Sequence, residues 1–286
     1  MKSLLNLGCG TRFHPSWVNV DFDARDASVL SHDLRRGIPF ADEQFDVIYH
    51  SHLLEHFPRP QAITFLRETY RVLKPGGTTR IAVPDLERIA QVYLQAVEEA
   101  ARGDEKWRRR YEWIILEVLD QTVRERPGGE MGDYLRRTDM SEKGFVLERL
   151  GRSAQEIIEA AEQVRSSRGS SHSGALDQGA RPAPLRQRLQ RLKRAPARIR
   201  ESLVRALLGA EYESLQLGRF RRSGDPHLWM YDRYSLAQIL SDVGFCDPRL
   251  VGAAESRIHG WADYHLDTEP EGTIYKPDSF YMEACK

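Results

Sequence analysis

The stretch LLNLGCGTRFHPSWVNVDFD, residues 4–23, constrains the fold more than any other. An apolar strand enters a Gly-Cys-Gly turn, and a second strand ends in Asp21 only 13 positions after Gly8. Glycines at a strand end let the backbone approach a ligand without Cβ clashes and bring N–H groups close to it. Dinucleotide-binding chains place G-x-G-x-x-G there, follow it with a helix, and set an acid about 20 residues on. Here Phe13 takes the place of the third glycine. The stretch 11–17, which contains Pro15, is too short for a full crossover helix. With little room for a helix N-terminus aimed at a diphosphate, the turn suits a small cofactor without phosphate.

Downstream, residues 1–85 alternate strand and helix signals. SLLNLG, WVNVDF, SVLSHDL, FDVIYHS and TTRIAVP are short β-rich runs. PQAITFLRETYRVLKPGG reads as a helix with Pro at its start and a Gly-Gly stop. Alternation of this kind predicts a mostly parallel sheet. Residues 86–165 turn to Glu, Arg, Leu and Ala and read as helices. Residues 166–184, rich in Ser, Gly and Pro, read as a flexible linker or disordered loop, and 185–208 as a basic amphipathic helix. YSLAQILSDVGF, a helix ending at Gly244, then PRLVGAA and SFYMEACK as strands, bring the α/β pattern back. The predicted organisation is one α/β domain from residues 1–85 and 226–286, interrupted by a helical cap insertion, 86–225.

The acidic and histidine residues at strand ends fit a nucleoside. Asp21 closes the second strand, where a carboxylate can accept both ribose hydroxyls. Asp33 follows the third, where it can accept an adenine amino group, and His50 closes the fourth. All lie at the carboxyl edge, where open α/β sheets bind ligands. S-adenosylmethionine, an amino acid joined to a ribose and an adenine, is a phosphate-free cofactor of this kind. The ordered set GCG, VDFD, HDL…IPF, FDVIYHSHLLEH and LKPGG resembles the class I S-adenosylmethionine-dependent methyltransferases. Within them the chain is most similar to a methyltransferase type 11-like group associated with bacterial surface-polysaccharide biosynthesis. The similarity rests on LNLGCG…WVNVD, RETYRVLKPGGTTRIAVPDL, WMYDRYSL…GF and KPDSFYMEA.

The resemblance implies a Rossmann-like sheet of seven strands, the last antiparallel, with a shortened first crossover helix and the large insertion after the fifth strand. It implies that Gly8, Cys9 and Gly10 wrap the methionine part, that Asp21 takes the ribose, and that Asp33 with Leu34 takes the adenine. Most relatives carry an acid where Asn6 sits, so Asn6 would meet the cofactor ammonium as a neutral group or through water. With the last strand antiparallel, the insertion and the 255–278 loop would both emerge on the cofactor edge and cap the site, which suggests a bulky acceptor.

His52-Leu53-Leu54-Glu55-His56 spells H-x-x-E-H, a zinc-protease signature that needs its ligands on one helical face. Directly after the fourth strand of a cofactor domain, it reads better as a pocket floor with Glu55 and His56 capping the next helix. Some small-RNA and quinone-precursor O-methyltransferases hold a divalent metal at a similar E-x-x-E-H, which makes His52, Glu55 and His56 a candidate set. No metal is assigned from the sequence. A methyl acceptor hydroxyl must lose a proton, and His227 is the first candidate general base, with His259 second. Trp229, Tyr231, Trp261 and Tyr264 are candidates to stack on sugar faces, although single aromatic residues more often serve packing.

Lys and Arg balance Asp and Glu at 42 each in 286 residues, so net charge selects no partner. Three cysteines distant in sequence suit a reducing compartment, and the start MKSLL lacks a signal-peptide core, which together predict a cytoplasmic protein. The basic segment could touch the inner face of an anionic membrane. RNA is disfavoured, because the basic residues lack interleaved aromatic platforms. The expected function is O-methylation of a saccharide or surface-glycan precursor. Alternatives are a small natural product or RNA as acceptor, or a cofactor-binding pseudoenzyme that scaffolds polysaccharide assembly. The sequence leaves the oligomeric state open.

Overall fold

The computed structural model describes residues 2–170 and 199–286. Seven strands form one sheet: β1 (Leu4–Leu7), β2 (Val18–Asp21), β3 (Val29–Ser31), β4 (Phe45–Ser51), β5 (Leu73–Pro84), β6 (Cys246–Val251) and β7 (Ser279–Cys285). Their order is β3-β2-β1-β4-β5-β7-β6. The first five strands are parallel, and β7 runs antiparallel to both β5 and β6. The expected Rossmann-like topology with an antiparallel last strand is therefore present.

One face is covered by α1 (Arg59–Val72) and a later helix, α9 (Arg233–Val243). In α1, Pro60 sits in the first turn, and Ala62, Phe65, Leu66, Thr69 and Val72 make the 3.6-residue stripe that meets the sheet. A capping box of Asp232 and Ser235 starts α9, and Gly244, at φ +115°, ends it. The Gly-Gly stop predicted for α1 is not where that helix ends. It closes at Val72, and Leu73–Gly77 is already the start of β5, irregular there because Gly76 sits at φ +74° and the register with β4 shifts. There the Gly76 N–H donates to the Lys286 carbonyl and the Lys286 N–H to that of Gly77, so the chain end is zipped onto these glycines.

The opposite face departs further from expectation. The first crossover is not a shortened helix but contains no helix at all: residues 8–17 run as turns. The long β6–β7 connection replaces it. Its Ile258, Trp261 and Leu266 pack with Leu4, Trp17, Val47 and Tyr49 into a second core, where Trp17 and Trp261 meet edge-to-face at 6.1 Å. Arg80, fully buried on β5, fixes that connection. Its guanidinium donates to Asp267 (2.8 Å), to Glu283 (2.9 Å) and to the carbonyls of Gly252, Ala253 and Glu255, and it lies 4.3 Å from the Trp261 ring centroid.

The insertion leaves the sheet at Pro84. It comprises α2 (Leu86–Ala101), α3 (Glu105–Val123), α4 (Gly129–Leu135), α5 (Lys143–Leu150) and α6 (Arg152–Ser170), then α7 (helical over residues 199–208) and α8 (Glu211–Arg221). It carries its own core around Trp113, Tyr134, Val146, Leu150 and Ile158. Residues 166–170, assigned to the linker by sequence, continue α6; residues 171–184 and the basic stretch 185–198 lie outside the described residues. Because β5 and β6 point the same way, the insertion and the 252–278 connection both leave from the carboxyl edge of the sheet.

Candidate active site

Two cavities meet at the Gly8 turn. The first, of about 160 Å³, is lined by Gly8, Asp21, Phe22, Asp33, Leu34 and Leu53 among others. The second, of about 210 Å³, lies on the other side of the turn, against Asn6, Gly8, Cys9, Gly10, Tyr49 and Lys276 among others. Gly8 borders both. Its φ is +64°, and a Cβ there would come 2.8 Å from Leu53 Cδ1, so only glycine gives this turn its shape without strain.

The turn is held from below. The N–H groups of Gly8 and Cys9 donate to the Val20 carbonyl, and that of Gly10 donates to Asp21 Oδ2 at 2.8 Å. The Asn6 amide nitrogen is taken up by the Arg12 carbonyl and Asn19 Oδ1, so Asn6 supports the turn as well as bordering the second cavity. Asp33 caps the 3₁₀ turn Leu34–Arg36, and both its oxygens receive the Arg35 guanidinium, which holds its carboxyl below the usual range. Arg35 reaches on to the Arg222 carbonyl and so ties the insertion to the Asp33 end of the first cavity. Cys9 is buried, and burial, with Asp21 adding to it, pushes its thiol up to about 12.

The predicted cofactor residues thus divide between the two cavities: Asp21, Asp33 and Leu34 on one side, Asn6, Cys9 and Gly10 on the other, with Gly8 shared. His50 is not among them. Its side chain points to the α1 side of the sheet, wholly buried edge-on against Phe65, and burial lowers its pKa to about 4. Lys276 was missed. It stands in the KPDSFYMEA run and borders the second cavity, with its pKa lowered by burial while Asp278, Glu55 and Asp267 act in the opposite direction. Its one signal in the sequence was a lone cation just before an apolar strand.

The H-x-x-E-H run does not form the helix a zinc protease needs. His52 is in the left-handed region (φ +49°), and only a 3₁₀ turn, Leu54–His56, follows. His52 turns away to Ser279 Oγ at 2.7 Å, with its Nδ1 3.2 Å from Glu55 Oε1. His227 comes in instead. It packs edge-on against His56 at 4.9 Å, and its Nε2 is 3.9 Å from Glu55 Oε1. Burial drives the His227 pKa down to about 3, so it is a neutral imidazole and a poor match for a base acting near neutral pH. Burial would raise the Glu55 carboxyl, but the imidazoles of His52, His56 and His227 outweigh it and hold the group below its ordinary value.

The other candidates lie elsewhere. His259 is exposed on the β6–β7 connection. Tyr231 and Trp261 are core residues, Tyr264 packs on Trp17, and only Trp229 is open to solvent, with Arg59 over its ring. The bland packing reading holds for three of the four.

The strand order, with two cavities meeting at a glycine turn on its carboxyl edge, is that of a Rossmann-like sheet. Residues 5–81 match the family model described as a methyltransferase domain. No curated protein matches the chain. Among solved structures it is similar to a possible histamine N-methyltransferase from Thermotoga maritima, with 24% identity over 35% of this chain and 53% of that one, at a TM-score of 0.27. It is similar also to a SAM-dependent methyltransferase from Aquifex aeolicus, with 18% identity over 29% and 57%, at 0.24. The trans-methyltransferase CalH, solved with S-adenosylhomocysteine, shows 17% identity over 29% and 32%, at 0.25. The chain therefore spans between 32% and 57% of these three structures, and overlays this partial say nothing of substrate.

Proposed function

We propose that the chain is an S-adenosylmethionine-dependent O-methyltransferase acting on a saccharide or another surface-glycan precursor. The observation that carries the methyl-transfer reading is the pair of cavities meeting at Gly8, with Asp21 at the strand end beside one and Lys276 beside the other. In this reading Asp21 accepts the ribose hydroxyls, Leu34 and the free lone pairs of Asp33 meet the adenine, and Lys276 pairs with the cofactor carboxylate. Asn6 and the Gly8–Gly10 backbone line the methionine end. Bound there, the cofactor supplies an electrophilic methyl group. The protein's part is to align two reactants, exclude water and accept the acceptor's proton.

The acceptor reading is supported by the surroundings of His56. This residue borders the first cavity and also a larger one of about 430 Å³, which is lined by Arg35, Gln61, Arg221, Arg222 and Leu228 among others. Guanidinium and amide groups suit a hydroxyl-rich acceptor carrying phosphate, as activated sugars do. The acceptor hydroxyl then approaches the Glu55–His56–His227 cluster, of which His56, half-buried, is the member that borders the cavity. A peripheral membrane contact belongs to the same proposal. Ile199, Leu203 and Leu207, spaced at four residues on α7, are 63%, 59% and 84% exposed. No helix among the described residues is long and apolar enough to cross a membrane.

Calorimetry with S-adenosylhomocysteine, followed by turnover assays with nucleotide-sugar, lipid-linked sugar and RNA acceptors, tests this. Methylation of a sugar acceptor is expected. Tight cofactor binding with no turnover on any acceptor favours the scaffold instead, and RNA methylation overturns the acceptor class.

A further inference from the structure

We infer that Glu55, His56 and His227 bind one divalent transition-metal ion. One ligand atom from each of the three lies within 4.8 Å of the others, so a small inward movement of the side chains brings all three to the bond lengths of about 2.0–2.2 Å that one ion needs. Two of these side chains are buried with polar atoms unspent. Glu55 is 0% exposed, and its carboxylate has only the ion-pair contact of His52 Nδ1, at 3.2 Å from Oε1, and no aligned hydrogen bond; His227 is 5% exposed, with Nε2 the ring nitrogen that faces Glu55 and Nδ1 unpartnered. A carboxylate taken out of water without strong donors is costly unless a cation joins it. The ion-pair partners of Glu55 among the described residues are imidazoles, His52 and His227.

The cluster is assembled without help from an ion. The N–H groups of Leu228 and Trp229 donate to the Glu55 carbonyl, and that of His227 to the Gln121 carbonyl, so the two ligand-bearing segments are stitched together through the backbone. His56 Nδ1 lies 3.2 Å from the Pro226 carbonyl. That contact selects the tautomer with hydrogen on Nδ1 and leaves the Nε2 lone pair free, the usual way a liganding histidine is oriented. His52, bridging Ser279 and Glu55, orients the carboxylate from behind.

One carboxylate and two imidazoles suit a zinc-class ion, zinc, cobalt or iron(II), better than calcium or magnesium, which prefer all-oxygen shells. Three protein ligands leave a coordination position open. His56 borders the cavity, so that position is reached from the acceptor side. An acceptor hydroxyl placed there would ionise more easily. That role rests on the methyl-transfer reading; ion binding itself does not.

The test is titration of the chelator-stripped full chain with Co²⁺, followed by visible absorption and displacement with Zn²⁺, and in parallel calorimetry with S-adenosylhomocysteine on the same metal-free protein. One equivalent of Co²⁺ is expected, displaced by Zn²⁺, with affinity at least about 10-fold weaker in H56A and in H227A. His56 is only half-buried, so H56A decides the matter if H227A does not fold. Absence of cobalt bands in the wild-type chain, or binding unchanged in H56A, overturns the site. Loss of cofactor binding with the cobalt signal intact overturns the methyl-transfer reading alone.

Discussion

At the residue scale the account turns on a few side chains around Gly8. Asp21 braces the turn through the Gly10 N–H and, in the proposed reading, accepts the ribose hydroxyls. Asp21→Ala is expected to weaken S-adenosylhomocysteine binding by about 10- to 100-fold, the worth of charged hydrogen bonds lost; an unchanged dissociation constant in calorimetry removes the ribose assignment. Lys276→Met, close in volume but uncharged, is expected to weaken binding of the intact cofactor while leaving adenosine binding unaltered, because only the former carries a carboxylate. Equal losses for both ligands would mean a packing role. Burial pushes the Cys9 thiol up to about 12, far above the ordinary thiol, which keeps it protonated through neutral pH. Alkylation at pH 8, followed by mass spectrometry, should label exposed Cys246 first and leave Cys9 for last. Equal labelling would mean the turn is open to solvent.

At the element scale the missing first crossover helix matters most. Where a helix would cover the sheet, the β6–β7 connection does so, pinned by Arg80 and Trp261. Trp261→Ala should cost about 3–5 kcal/mol in urea unfolding, as for a buried aromatic side chain. Arg80→Met should cost about as much, because Asp267 and Glu283 stay buried without their partner. Losses below about 1 kcal/mol would mean the connection is peripheral to stability. Short β-rich runs made the strands legible in sequence, as the Pro at its start did for α1 and Gly244 did for the end of α9. The substitution of a loop for a helix was not legible, because Trp17 and Trp261 are separated by most of the chain and only the closed sheet brings them together. The end of α1 was misread for a related reason: pairing with the C-terminal residue Lys286 draws Gly76 and Gly77 into a strand.

At the scale of the whole molecule, the antiparallel last strand sends both large insertions to one edge, where the first cavity and the arginine-lined cavity share Asp33, Arg35 and His56 as a rim. That geometry follows from the topology, whose parallel part the alternating N-terminal pattern predicted and whose antiparallel last strand came from the resemblance alone. The residues lining the two cavities were legible where a strand end carries a glycine or a carboxylate, as at Gly8, Asp21 and Asp33, and not at His50, which turns into the core. The Glu55–His56–His227 cluster was not, since His227 arrives from beyond a long insertion and displaces His52, whose local spacing looked better suited. The claim on which everything else depends is that the short Gly8 turn holds a sulfonium donor and no dinucleotide. Calorimetry of the full chain against S-adenosylhomocysteine, NAD and FAD measures this directly. One S-adenosylhomocysteine per chain, with no heat from either dinucleotide, is the predicted result; binding of NAD or FAD, or no binding of S-adenosylhomocysteine at saturating concentration, would contradict it.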